Sequence, residues 1–268
     1  MTTANSSGSH DVQSGISSQL DGYVATITID RPHRMNSLDS AANRAIAQVF
    51  QDLDSDPDVR AIVVTGAGNR AFCTGADLKA DPEHTGPRVS FAGITGVGGP
   101  MIEVGTPMIA AVSGYAIGGG FELAAACDII VASHSASFSI PEGVKGFLAE
   151  SPVGHRAMRQ LPHHVALDLA LTGRAMDGAE AERWGFVNYL VDQDQVVAKA
   201  SEVAHAVAAG PPLALRAFKS ALKSRSGWPL DVAMSTRFEL IEQYQHTDEQ
   251  REGLAAFRER RQARWTGR

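Results

Sequence analysis

The feature that most constrains this chain is the stretch over residues 108–132. Met108, Ile109, Ala110, Ala111 and Val112 make an uninterrupted apolar run of strand length, followed by Gly114. Three glycines, Gly118, Gly119 and Gly120, open a helix that carries an early Glu122 and runs to about Ala126. A second apolar run at residues 129–132 reads as another buried strand. A strand, a glycine-opened helix and a strand in so short a span point to an α/β body.

The neighbouring chain extends that reading. Residues 23–30 alternate Tyr23, Ala25, Ile27 and Ile29 against Val24, Thr26, Thr28 and Asp30, the period of a strand. Asp39 caps a helix whose apolar stripe is Ala42, Ile46, Val49, Phe50 and Leu53, and which stops near Asp56-Pro57. Residues 61–65 form a buried strand closed by Gly66, and residues 137–140 a shorter one before Pro141. Residues 66–107 read as loop, with hints of helix at 89–94 and 101–104. Beyond Gly154 come short helices at 165–171 and 179–184 and a strand at 186–191; from Asp194 the chain is almost wholly helical. The expected division is a disordered leader over 1–20, an α/β core over 21–200 and a C-terminal helical region over 201–268.

Bulk properties exclude several classes. The 268 residues are 44% hydrophobic and 20% charged, enough for a substantial core. The net charge is −6, and no block of Lys and Arg is long enough for a nucleic-acid footprint. Arg258, Arg260, Arg261 and Arg264, interleaved with Glu259, read as a solvated helix face, with contact to a phosphorylated ligand as the alternative. Cys73 and Cys127 cannot make a disulfide framework in a chain this long. No apolar run reaches membrane-spanning length, and the Ser/Gly-rich start lacks the basic and apolar regions of a signal peptide. A cytoplasmic enzyme is the expectation.

Three motifs lead nowhere. Gly66-Ala67-Gly68-Asn69-Arg70-Ala71 matches a dinucleotide-binding pattern, but no helical stripe follows it to place amides against a pyrophosphate. Ser113 lacks the glycine two residues earlier that a nucleophile elbow needs. His155, His163 and His164 lack metal-ligand spacing.

Three other segments form a set: Ala71-Phe72-Cys73-Thr74-Gly75-Ala76-Asp77-Leu78-Lys79, then Ser113 through Ala132 with its triple glycine and Cys127-Asp128-Ile129-Ile130-Val131-Ala132, then Phe138-Ser139-Ile140-Pro141-Glu142. In this order and at these separations they resemble the crotonase (enoyl-CoA hydratase/isomerase) superfamily. The tail around Thr247–Gly253, Ala256-Phe257 and Trp265-Thr266-Gly267-Arg268 resembles that family's C-terminal segment, so the similarity covers about residues 21–268. The resemblance implies a crotonase-like spiral of ββα units with a C-terminal helical extension, and an acyl-CoA thioester as substrate. Coenzyme A is then part of the substrate, and no separate cofactor or metal is implied. It further implies homotrimers, often stacked into hexamers.

The chemistry suits these residues. Reaction at the α- or β-carbon of a thioester passes through an enolate, and fixed backbone donors stabilise its oxygen by about 2.7–4 kcal/mol each. The resemblance assigns those donors to the amides of Ala76 and Gly119, and the catalytic carboxyls to Glu122 and Glu142. Glu122 lies three residues past Gly119, one turn along the same helix face. Each has a plain alternative: Glu122 as a favourable charge at a helix start, Glu142 as a surface carboxylate, the glycines as a tight turn. The resemblance also places Arg34 at the adenosine phosphates and Thr74, Asp77 and Leu78 beside the adenine and pantetheine. It sets Lys219 and Phe257 over the nucleotide of the same or a neighbouring subunit. For Arg34 and Lys219 a solvated surface cation is the competing reading.

One departure stands out. Fatty-acyl hydratases of the family follow Pro-Glu with a glycine-rich loop ending G-G-T-Q-R-L, whereas here residues 143–156 bring Glu150, Ser151 and Pro152 and end Gly154-His155-Arg156. That leaves open a loop amide for the hydrating water and raises Glu150 as a third carboxyl, against a surface position for it. The leading expectation is an enoyl-CoA hydratase, or a dehydratase running the same chemistry in reverse. Residues 171–176 and Arg183-Trp184-Gly185 also resemble carnitinyl-CoA dehydratase-like members. An enoyl-CoA isomerase, which usually keeps one catalytic carboxyl, and a non-catalytic acyl-CoA-binding scaffold are the alternatives.

Overall fold

The computed structural model describes residues 10–11, 14–80, 102–146 and 154–268. In chain order the elements are β1 (His10–Asp11), β2 (Ile16–Asp21), β3 (Val24–Ile29), α1 (Ser40–Ser55), β4 (Ala61–Gly66), β5 (Ala71–Cys73), β6 (Met108–Val112), β7 (Tyr115–Ile117) and α2 (Gly119–Ala126). There follow β8 (Ile129–Ser133), β9 (Ser137–Ser139), α3 (Glu142–Lys145), α4 (Ala157–Gln160), α5 (His163–Thr172), β10 (Ala175–Asp177), α6 (Gly178–Arg183) and β11 (Tyr189–Val191). The chain closes with α7 (Val196–Ala208), α8 (Pro212–Arg225), α9 (Leu230–Ser235), α10 (Glu239–Tyr244) and α11 (Asp248–Glu259).

The strands fall into two sheets, one of seven in the order β1-β2-β3-β4-β6-β8-β11 and one of four in the order β10-β9-β7-β5. Consecutive strands alternate between them: β4, β6 and β8 lie in the large sheet while β5, β7 and β9 lie in the small one. Within each sheet these strands run parallel. This is the expected spiral, with a helix or loop completing each turn.

Side-chain alternation explains why the large sheet is covered on both faces. Ala25, Ile27, Ile29, Ile62 and Val64 point into a core shared with Ala42, Ile46 and Phe50 of α1 and Phe121 and Leu123 of α2. Val24, Ala61, Val63, Ile109 and Ala111 point the other way, onto Val196, Ala200, Val203, Ala204 and Ala208 of α7. Helix α1 begins where expected, with Asp39 accepting from the Ala42 amide at 2.9 Å. Phe121 and Phe186 stack at 4.9 Å and meet the edge of Phe138, which locks α2 against β9 and the approach to β11.

Two expected boundaries are corrected. The disordered leader cannot extend to residue 20, because Ile16–Asp21 pairs along its whole length with β3. The core does not end at residue 200, because α7 buries its apolar stripe against the large sheet. The helical extension therefore starts at α8. It is tied back to the core by ions: Lys219 reaches Asp128 at 2.7 Å, Lys223 reaches the same carboxylate at 2.5 Å, and Arg216 reaches Asp54 at 3.1 Å. The expected helical hint at 89–94 lies outside the described residues. Among the described residues, no helix is long and apolar enough to cross a membrane.

Candidate active site

The site is built on the turn from β7 into α2. Gly118 takes φ 58 and ψ −118, a conformation open to glycine, and its amide donates to Ser139 of β9 at 2.9 Å. All eight residues of α2 are buried. Each flanking glycine has its own reason. A Cβ at 118 would lie 2.3 Å from Oε1 of Glu142, and a Cβ at 120 would lie 1.9 Å from the carbonyl oxygen of Cys73. The triple glycine thus lets the helix start touch both β5 and a carboxyl group, more than a turn requires.

The segment after β5 runs beside that helix start. A Cβ on Gly75 would sit 3.2 Å from the amide nitrogen of Gly119. Leu38 bridges it from the other side: its amide donates to Gly75 at 2.9 Å and its carbonyl accepts from Asp77 at 3.0 Å. In such a parallel bridge the residue between the two bonds, Ala76, turns its own N–H away from Leu38. Gly119 is the first residue of α2, where amides have no partner within the helix. The structure therefore brings the Ala76 and Gly119 strands of backbone side by side.

The two glutamates converge on the same helix end. Glu122 is 1% exposed, and helical side chains lean toward the N-terminus, back over Gly118 and Gly119. Its Oε1 accepts from Nη1 of Arg156, and its Oε2 is buried with no hydrogen-bond partner among the described residues. Burial pushes the Glu122 carboxyl above the usual glutamate range, opposed by Arg156, the Gly154 amide and His155. Glu142 opens the short α3, with Oε1 against Gly118 and Oε2 buried without a hydrogen-bond partner among the described residues. Burial raises this carboxyl too, and the charge of Glu122 raises it further. The two groups thus sense one another, while among the described residues only Glu122 has a cation at its side.

The remaining expected contacts divide. Arg34 is tethered by Asp77, Nε to Oδ2 at 3.9 Å, and keeps an exposed guanidinium. Its loop is rigidly held: Met35 and Asn36 are left-handed, with φ 55 at both, and Asn36 donates to Ala67 at 3.0 Å and Ala71 at 2.6 Å. Thr74 donates to Met35 at 3.1 Å, and Leu78, four residues further on, is exposed. Asp77 is turned inward, its side chain 5% exposed between Arg31 and Arg34, so it supports Arg34 rather than presenting a carboxylate to a ligand. Lys219 is a correction. Its side chain is 11% exposed, and its ammonium is taken by Asp128 and by the carbonyl of Thr106, each at 2.7 Å. Burial draws that ammonium below the ordinary lysine value against the pull of Asp128. A cation spent on an internal pair is not offered to a nucleotide. Phe257 is 85% exposed on α11. In the basic C-terminal stretch, Arg261 pairs with Glu252 and Glu259, as a solvated face does. Glu150 lies outside the described residues.

Comparison with known proteins places this geometry in context. A family model described as enoyl-CoA hydratase/isomerase matches residues 20–268. The chain belongs to the enoyl-CoA hydratase/isomerase family. Among relatives of this family, the carnitinyl-CoA dehydratase of Proteus mirabilis (strain HI4320) is 36% identical over 256 residues, covering 92% of this chain and 96% of that one. The enoyl-CoA hydratase of Mycobacterium tuberculosis H37Rv has a crystal structure that superposes with TM-score 0.85 at 32% identity, covering 95% and 100% of the two chains. A crystal structure from Novosphingobium aromaticivorans DSM 12444, named provisionally as a short chain enoyl-CoA hydratase, superposes with TM-score 0.91 at 39% identity over 97% and 100%. The protein is thus a crotonase-family acyl-CoA enzyme. Sequence reasoning missed one member of its site, Arg156. The residue stood in view as the end of the divergent loop, but nothing in the sequence ties it to a glutamate 34 positions earlier.

Proposed function

We propose that the protein adds water across the 2,3 double bond of an enoyl-CoA thioester, or removes it from the corresponding 3-hydroxyacyl-CoA. The observation that carries this reading is the pair of buried carboxyls at the start of α2, one beside an arginine and one without a cation among the described residues. Their environments differ enough to favour opposite protonation states. Glu122, next to Arg156, acts as the charged base, and Glu142, desolvated and repelled by Glu122, holds the proton.

Each step then has a place. The thioester oxygen accepts from the amides of Ala76 and Gly119. Glu122 takes a proton from water as its oxygen bonds to the β-carbon. The π electrons move into the thioester as an enolate, whose oxygen those amides stabilise. The enolate collapses, and its α-carbon takes the proton from Glu142. Proton return from Glu122 to Glu142 restores the starting state, so that the net change is the addition of one water. Dehydration is the same path reversed. The 36% identity to carnitinyl-CoA dehydratase supports keeping that direction open.

The test is loss of 2-enoyl-CoA absorbance across a panel of chain lengths, with carnitinyl-CoA dehydration alongside. Glu122→Gln and Glu142→Gln are each expected to lower turnover by about 10²–10⁴-fold while acyl-CoA affinity barely moves. The double variant should be little worse than the worse single one, since groups acting on one water work as a unit. An isomerase would need only one of the two, and a scaffold would have no turnover to lose. Two nearly silent single variants in an active enzyme would sink the mechanism. A homotrimer or hexamer is part of this proposal. The exposed Phe218, Leu222 and Met234 of the helical extension support it, and a stable monomer in light scattering would count against it.

A further inference from the structure

Helix α2 is an unfavourable place for a carboxylate. Its neighbours in sequence are Phe121, Leu123 and Ala124, each 0% exposed. An isolated charge there would neutralise itself by taking up a proton. One side chain changes this. Arg156, at the N-terminal edge of α4, reaches back to α2 and places Nη1 on Oε1 of Glu122, with its own side chain 20% exposed. The contact spans two elements that are otherwise joined by Gln160, whose Nε2 donates to Ala125 at 2.9 Å.

The consequence is an asymmetry within one carboxyl group. Oε1 is engaged by the guanidinium, while Oε2 is buried without a partner among the described residues. A carboxylate anchored through one oxygen holds the other in a fixed position, and the charge of Glu122 acts on Glu142, which lies against Gly118.

We propose that Arg156 is a positioning residue: it keeps Glu122 as the ionised member of the carboxyl pair and presents Oε2 as its single reactive edge. The inference rests on the two-carboxyl reading above and adds the device that assigns the two roles. The groups facing Glu122 from each packed element accord with it. The segment leading into α4 supplies Arg156, the Gly154 amide and His155, each of which favours the charged carboxylate. Helix α3 supplies Glu142. Of the strands packed on α2, β5 carries Cys73, whose thiol burial pushes up to about 12, and β7 carries Tyr115, which is exposed. Among these described groups, Arg156 is the one permanent cation.

Two readouts test this. The first needs no turnover: infrared difference titration of the resting protein, with the carboxyl bands of Glu122 and Glu142 assigned by subtracting Glu122→Gln and Glu142→Gln. Glu122 is expected to lose its proton at lower pH than Glu142, and in Arg156→Gln its titration moves to higher pH. The second is the pH dependence of kcat with the enoyl-CoA that the protein hydrates. A base that has lost its cation holds its proton longer, so the acid limb of Arg156→Gln moves upward. Its kcat at neutral pH falls by about 10²-fold, the scale of a misplaced catalytic group, with KM unchanged. Arg156→Lys, which keeps the charge, restores the limb toward its original position. A uniform fall in kcat with an unmoved limb would make Arg156 merely structural, and a rise in KM with kcat intact would make it a substrate contact. Either result overturns the inference. If Arg156→Gln does not fold, the order of titration in the unmodified protein still decides: Glu142 ionising first refutes it. A protein that hydrates no enoyl-CoA, yet shows the expected infrared order, would reject the proposed reaction and leave the role of Arg156 standing.

Discussion

A methyl group at position 118 would separate placement of the acid from placement of the fold. Alanine there would set its Cβ 2.3 Å from Oε1 of Glu142 and 3.2 Å from its carboxyl carbon. Ordinary contact begins near 3.4 Å, so the carboxyl group must retreat by about 1 Å. The obstacle is the far end of a flexible side chain, which can move by rotating its own torsions. The backbone adds a second cost, because φ 58 with ψ −118 is glycine territory and strain there is of the order of 1–3 kcal/mol. A domain with about 5–15 kcal/mol of stability tolerates that loss. The chemistry does not, since a displacement of about 1 Å costs roughly 10²-fold in rate. Gly118→Ala is therefore expected to stay folded, to bind acyl-CoA nearly as before, and to lose at least about 10²-fold in kcat. The assays are thermal melting, calorimetric binding of an acyl-CoA and loss of enoyl-CoA absorbance. Gly227→Ala is the control, because a Cβ there meets nothing within 4 Å. Full turnover in a folded Gly118→Ala protein would refute the placement of Glu142 at the reacting centre.

Three further outcomes follow from the same geometry. Glu142→Gln should be more stable than the parent at pH 8. A carboxyl held above its usual 4.5 in the folded state costs stability as pH rises through that window, so the difference in melting temperature should vanish below about pH 4.5. Lys219→Met should lower stability by about 2–3 kcal/mol, less than for a fully orphaned buried charge because Lys223 still pairs with Asp128. Coenzyme A affinity should stay unchanged, and a selective loss of that affinity would restore Lys219 as a ligand contact. Arg34→Ala should weaken acyl-CoA binding modestly, by up to about 1 kcal/mol, and flatten its salt dependence; unchanged binding at low salt would remove Arg34 from the nucleotide site.

What the sequence disclosed and what it withheld follow from the range of the forces involved. Helix α1 was legible because its cap and its stripe are local, with Asp39 three residues from the amide it holds. The large-sheet strands β4, β6 and β8 were legible because burial on both faces writes a continuous apolar run. Strands β5, β7 and β10 were not, because three residues carry no period and their pairing is set by partners far along the chain. Strand β2 was hidden because Ser17, Ser18 and Gln19 are polar, and its membership is decided by its ladder with β3. In the site, Glu122 and Glu142 could be found through a resemblance that spans contiguous motifs. Arg156 and the inward turn of Lys219 depend on contacts across 34 and 91 positions, to Glu122 and Asp128, and no local pattern records them.

Several local rules are broken together around the start of α2. There a carboxylate is buried in an apolar helix, a second carboxyl has an oxygen without a partner among the described residues, and a glycine holds a conformation closed to other residues. The nearby loop that carries Arg34 is left-handed at Met35 and Asn36. Each of these features costs stability, and each persists because rigid structure surrounds it. The Phe121, Phe138 and Phe186 cluster fixes α2 from one side, the carbonyl of Cys73 fits against Gly120 on another, and Asn36 ties its loop to the backbone at Ala67 and Ala71. Strain held by so many independent contacts is what a preorganised site requires, because donors and carboxyls that cannot relax need no reorganisation when charge develops. Loosening any one support should therefore lower turnover before it lowers the cooperativity of unfolding.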